Sequence, residues 1–195
     1  MPRAGLDRAA VVDLALAVVD DGGPSGFSDL TLAAVAARAG VAVPSLYKHV
    51  EGLPGLRREV ARASVDEFTR MLADARGTLD GADALRAMAD ATRAYARAHP
   101  GRYQTVQGSS WTRDPDAAAV QTAAARTVDL LAGAVATLGV PPERRIDAVR
   151  AFRAAVHGFV VLELDGGFGM PDDVDVSFAF LVDGVVGGLE RLAVP

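Results

Sequence analysis

The chain has 195 residues, half of them apolar, and carries 25 acidic against 20 basic residues for a net charge of −5. That length and apolar content supply a core for one domain or two small ones and exclude a disordered chain. The lack of cysteine excludes a disulfide framework and thiol catalysis, and leaves only His and carboxylates as ligands for any metal.

The first helix is predicted over 6–20, with Val11, Leu14, Ala15 and Val18 on one face. Asp7, Arg8, Asp13 and Asp20 interrupt this stretch, so it does not read as a signal peptide. The run Asp21-Gly22-Gly23-Pro24-Ser25-Gly26 ends the helix, and Phe27 and Leu30 are expected to anchor the turn from below.

Residues 31–50, TLAAVAARAGVAVPSLYKHV, carry the densest signal. Thr31 is an N-cap, because its hydroxyl can accept from a free N–H of the first turn. Leu32, Val35, Ala36 and Ala39 then form one apolar face, and Gly40 supplies the left-handed residue that ends the helix. A second helix starts at Val43-Pro44, where the missing proline N–H costs nothing. Val43, Leu46 and Val50 share its inward side, and Ser45, Lys48 and His49 its outward side. A helix of about two turns is unstable alone in water, so something must pack it and something must use its exposed side. The arrangement fits a helix-turn-helix whose second helix enters the DNA major groove. Alanine-rich helix pairs around a glycine also occur in proteins that never meet DNA, so spacing leaves both readings open.

Helices follow over 54–75, 82–98, a short segment holding Tyr103 and Val106, 116–138, 141–165 and 174–192, about nine in all. No β-like alternation appears, so the fold class is all-α. The expected division is a helix-turn-helix domain at 1–53 and a ligand-binding and dimerisation domain at 54–195. No stretch reaches the roughly 20 apolar residues of a membrane span. A cytoplasmic protein without a membrane partner is therefore expected.

The stretch from Val156 to Leu164 is apolar on nearly every side, and Phe178, Leu181, Val182, Val185 and Leu189 line one stripe of the last helix. Such surface suggests a homodimer built as a four-helix bundle, with Val156, Val160, Leu164, Phe178, Leu181, Val182, Val185 and Leu189 at its seam. A fully buried hairpin within one copy is the alternative.

Thr31, the Ala36 to Gly40-Val41 spacing and the run Pro44-Ser45-Leu46-Tyr47-Lys48-His49-Val50 closely resemble the DNA-binding domain of the TetR family of transcriptional repressors. His157-Gly158 and Leu162-Glu163-Leu164 are similar to a C-terminal domain found in one group of that family. Members of that group usually carry a Trp shortly before the His-Gly pair, where this chain has Phe152 and Arg153. The resemblance implies a ligand-responsive regulator, most simply a repressor, that binds a palindromic double-stranded DNA operator as a homodimer and is released by a small effector.

It also implies roles for individual residues. Thr31 would hold a phosphate at a helix N-terminus, and Tyr47 and His49 would donate to phosphates. Ser45 and Lys48 would face base edges, with Pro44 near a thymine methyl. Repressors of this type often place a Lys where this chain has Leu53, so one phosphate anchor is either missing or replaced, with Arg57 or Arg3 as the expected replacement. Between Leu30 and Arg62 five basic residues stand against two acidic ones, a local positive patch in an acidic whole.

A ligand cavity is implied among the later helices, with Phe68, Met71, Met88, Tyr95, Tyr103, Trp111, Phe152 and His157 as candidate lining. Aromatic and Met residues at helical spacing are ordinarily core, and a buried His157 would need a partner such as ligand, backbone or Glu163. The effector of such a cavity would be small and largely hydrophobic. No cofactor, metal site or catalytic constellation is expected: the three histidines lack ligand spacing, and Gly166-Gly167-Phe168-Gly169 follows a helix instead of a strand. The competing functional classes are a helical small-molecule-binding protein without operator recognition and a helical enzyme.

Overall fold

The computed structural model describes residues 6–108 and 110–193. Among them every regular element is helical: α1 (Arg8–Asp21), α2 (Leu32–Ala39), a 3-10 helix (Val43–Lys48), α3 (Gly52–Arg76), α4 (Gly81–Ala98), α5 (Pro100–Val106), α6 (Ala118–Thr137), α7 (Arg145–Leu164) and α8 (Val174–Glu190), with single 3-10 turns at Gly23–Ser25 and Pro142–Arg144. No helix of the described residues is long and apolar enough to cross a membrane.

The chain divides into two compact units. The first holds the described residues up to Glu67 together with His99–Ala124, and the second holds Phe68–Ala98 and the described residues from Ala125. The division falls at Glu67 inside α3, beyond the expected boundary at residue 53, and the α5 region joins the first unit.

Within the first unit, side-chain caps set the helix starts. Asp7 accepts from Ala10 N–H at 2.8 Å and Thr31 Oγ1 from Ala34 N–H at 3.1 Å, each satisfying an orphan donor of the first turn. Gly40, at φ 67°, ends α2 without the clash a Cβ would bring, and Val41 N–H returns to Ala36 O at 3.1 Å. The core is Val11, Ala15, Val19, Phe27, Leu30, Val35, Leu46, Val50, Leu56 and Val60. Phe27 and Leu30 are buried in it, as their place beneath the turn requires.

Gly101 lies inside α5 and lets it approach α1. A Cβ there would meet Gly23 O at 2.6 Å and Val19 Cγ1 at 2.9 Å. Arg102 secures the same contact: its Nε donates to Asp20 at 2.8 Å and its Nη1 to Glu67 at 2.7 Å.

In the second unit α4 packs against both α7 and α8, which pack against each other. Leu85, Met88, Ala89, Leu131, Val135, Val149, Phe152, Val156, Val160, Phe178, Val182, Val186 and Leu189 are buried there. Five of the residues expected between copies, Val156, Val160, Phe178, Val182 and Leu189, are thus spent inside their own unit, while Leu164, Leu181 and Val185 are half-buried. The reason is that the apolar side of the α7–α8 hairpin is covered by α4. The surface left outward carries Ala151, Ala154 and Leu162 on α7 and Val176, Ala179, Phe180 and Gly184 on α8.

Candidate nucleic-acid interface

The short helix Val43–Lys48 is 3-10 along its length. Ser45 N–H donates to Ala42 O at 2.9 Å and His49 N–H to Leu46 O at 2.9 Å. Six residues cannot hold a helix alone, and the anchor is Leu46, completely buried in the core. With Leu46 inside, Pro44, Tyr47 and Lys48 are exposed, and Ser45, His49 and Val43 are half-buried. Tyr47 is 60% exposed, an unusual cost for an aromatic side chain with no polar interior role. Its ring edge lies 4.0 Å from the position a Gly52 Cβ would take, so it stands at the start of α3.

Tyr47, Lys48 and His49 line one side of an open groove of about 790 Å³. Arg8, Glu51, Arg58, Glu59, Arg62 and Asp116 supply its charges. Thr31 is exposed at the N-terminus of α2, but its hydroxyl oxygen already accepts from Ala34 N–H.

The basic patch read from composition is largely neutralised by neighbours. Arg38 pairs with Asp21. Arg8 reaches Glu59 at 2.6 Å, and Arg62 bridges Glu59 at 3.3 Å and Asp66 at 2.9 Å. Arg58 faces Asp114, Asp116 and Glu51 at 3.4, 3.6 and 3.7 Å. Arg57, one expected replacement anchor, instead donates to Ser28 O at 2.9 Å and Leu30 O at 3.3 Å, tying α3 to the turn before α2. Arg3, the other, lies outside the described residues. Lys48 is left as an exposed cation of the groove without an ion pair among the described residues. Sequence reading counted Arg58 in the basic patch but did not find its pairing with Asp114 and Asp116, because 56 residues separate Arg58 from Asp114 and no local pattern links them.

A family profile described as "Tetracyclin repressor-like, C-terminal domain" matches residues 85–185. A protein of Mycobacterium tuberculosis described as the uncharacterized HTH-type transcriptional regulator Rv0681 is 36% identical over 96% of this chain and 84% of its own length. The chain belongs to the TetR family of transcriptional regulators. A second relative of this TetR-family protein, the uncharacterized HTH-type transcriptional regulator YobS of Bacillus subtilis, is 29% identical over 96% of this chain and 95% of its own. A TetR regulator of Streptomyces coelicolor has the same fold, with a TM-score of 0.73 at 22% identity over 97% of this chain and all of that one. The HTH-type descriptions of the two relatives accord with a helix-turn-helix in this chain.

The candidate ligand-lining residues of this TetR-family chain fall into two groups. Phe68, Met71, Met88, Tyr95, Phe152 and His157 belong to the second unit, whereas Tyr103 and Trp111 belong to the first. Phe68 and Tyr95 meet edge to face with centroids 5.3 Å apart, and Met88 and Phe152 are buried core. Met71 is half-buried. Trp111 is buried and its Nε1 donates to Thr105 O at 2.6 Å, which gives it a structural task in the first unit. His157 is half-buried; burial, with Arg153 adding to it, holds its pKa below the usual histidine value. Glu163 does not serve His157. Six residues on a helix are about 240° apart, and Glu163 is taken by Arg93.

Proposed function

We propose that this protein is a dimeric, effector-released repressor that docks two copies of the 3-10 helix Val43–Lys48 into successive major-groove segments of a palindromic operator. The observation that carries this reading is the division of one short helix between a buried Leu46 and an exposed Tyr47-Lys48 face beside a charged groove. Lys48 and Ser45 read base edges, Pro44 contacts a thymine methyl, and Tyr47, His49 and the N-terminus of α2 at Thr31 set the register on phosphates. Two heads require two copies, and the outward strip of Leu162, Val176 and Phe180 with the small residues Ala151, Ala154 and Gly184 is the surface that joins them. A small hydrophobic effector among the helices of the second unit, near Phe68, Met88, Tyr95, Phe152 and His157, favours the arrangement that DNA does not. Acting on chromosomal DNA, the protein works in the cytoplasm.

The test begins with selection of genomic fragments bound by the purified protein, followed by gel-shift titration of Tyr47→Ala and Lys48→Ala. Each substitution is expected to weaken specific binding by about 1–3 kcal/mol without loss of fold. Unchanged affinity in both variants overturns the operator-binding role. The pairing of Arg38, Arg58 and Arg62 with carboxylates favours a second reading, a small-molecule-binding protein without operator recognition. The selection separates the two, since that protein enriches no fragment.

A further inference from the structure

The groove beside the recognition helix contains a guanidinium that the reading above does not use. Arg58 stands on the second turn of α3 and lines the same groove as Tyr47, Lys48 and His49. Helical side chains lean toward the N-terminus of their helix, and Arg58 does so across the face that carries Gly55. Its Nη2 lies 4.0 Å from the point a Gly55 Cβ would occupy. The guanidinium therefore lies over the first turn of α3, where Leu53 supplies no cation. Its side chain is only one-fifth exposed, where residues 110–117, the stretch before α6, come up beside it. Asp114 and Asp116 of that segment sit at 3.4 and 3.6 Å from Nη1. Asp114 Oδ1 also accepts Asp116 N–H at 2.9 Å, which holds the two carboxylates as one unit.

We propose that Arg58 is a DNA-phosphate contact of the head and that Asp114 and Asp116 gate it by occupying the place of a phosphate. This rests on the reading of the head as a DNA-binding surface. The competition is balanced by its geometry: contacts of 3.4–3.7 Å to partly exposed carboxylates are weak, so a backbone phosphate with its own charge displaces them. Movement of Asp114 and Asp116 away from Arg58 then changes DNA affinity without moving the recognition helix. With Arg38, Arg57 and Arg62 also engaged, the native head releases few counterions on binding.

The test measures affinity for a short DNA duplex of arbitrary sequence by fluorescence anisotropy across a series of KCl concentrations. The proteins are the native chain, Asp114→Asn with Asp116→Asn, and that pair combined with Arg58→Gln. Asparagine keeps the acceptor that holds Asp116 N–H, and circular dichroism verifies the fold. Glu143→Gln with Asp147→Asn, in the second unit, removes the same charge elsewhere. The expected result is about three- to tenfold tighter binding for the double Asn variant at low salt, with a log–log salt slope steeper by about 0.9. Adding Arg58→Gln abolishes both changes, and the control pair leaves the slope unaltered. An unchanged slope in the double Asn variant, or a change that survives Arg58→Gln or appears equally in the control pair, overturns the gate. The head reading fails separately: Lys48→Ala then binds like the native chain, whatever the Asn variants do. If none of the proteins binds, both fall.

Discussion

The guanidinium of Arg93 on α4 grips both carboxylate oxygens of Glu163 on α7, with Nε and Nη2 at 2.8 and 2.6 Å across 70 residues of sequence. Asp175, at the start of α8, takes a third contact at 2.7 Å. The same guanidinium lies 4.8 Å from the centre of the Phe178 ring and 5.8 Å from that of Phe159. One side chain thus ties α4 to both arms of the α7–α8 hairpin. The pair raises the Arg93 pKa and holds Glu163 below the usual carboxylate range, chiefly through hydrogen bonds between the two groups.

Glu163→Ala is expected to destabilise the protein by about 2–3 kcal/mol, since it leaves a largely buried guanidinium with Asp175 alone. Urea denaturation at neutral pH measures the loss. Because the folded pKa of Glu163 is depressed, the pair contributes fully above the ordinary carboxylate range and its contribution disappears as pH falls through the folded value. The acid limb of stability against pH should therefore be shallower in Glu163→Gln than in the native chain. Coincident limbs would contradict the assignment.

His157 supplies a second, milder pH dependence. Its folded pKa is depressed by burial and by Arg153, so the unfolded chain takes up a proton first and stability declines as pH drops below about 6.5. In His157→Gln the denaturation midpoint should fall less between about pH 7 and the onset of carboxylate protonation than in the native chain. A native chain whose midpoint is already level over that interval would refute this.

Two glycines should respond in opposite directions to the same methyl group. Gly101→Ala drives a Cβ into Gly23 O and Val19, and should cost about 1–3 kcal/mol by separating α5 from α1. Gly184→Ala meets nothing within 4 Å of its own chain and should add up to about 1 kcal/mol of helix propensity when it is made in a monomeric Phe180→Glu background, where the proposed seam does not bear on it. Thermal denaturation of the two variants gives the comparison.

The outward strip of the α7–α8 hairpin is separable from its core. Phe180, 81% exposed, should tolerate Glu without loss of fold, yet Phe180→Glu should shift the sedimentation mass from dimer to monomer at micromolar concentration. Val182→Asp, a charge in the buried side of the same helix, should instead destabilise the protein by several kcal/mol. A dimer that survives Phe180→Glu places the seam elsewhere.

Much of the architecture was readable from the chain because it depends on residues within a turn of each other. Thr31 as a cap, Gly40 as a left-handed stop, Leu46 as the buried anchor and the helical identity of each segment are all local, and the structure reproduces them. The exposure of Pro44, Tyr47 and Lys48 was likewise legible, since burying Leu46 in so short a helix turns those positions outward. What local chemistry could not specify is which partner each side chain meets. Whether Phe178 and Val182 face a second copy or α4, and whether Arg58 is free or held by Asp114, depends on contacts between residues far apart in the chain. Those contacts exist only once loop-closure entropy has been overcome and the helices are packed. Hydrophobic periodicity therefore defined the helices and their apolar sides, while tertiary packing decided which of those sides is core and which charges are held in ion pairs.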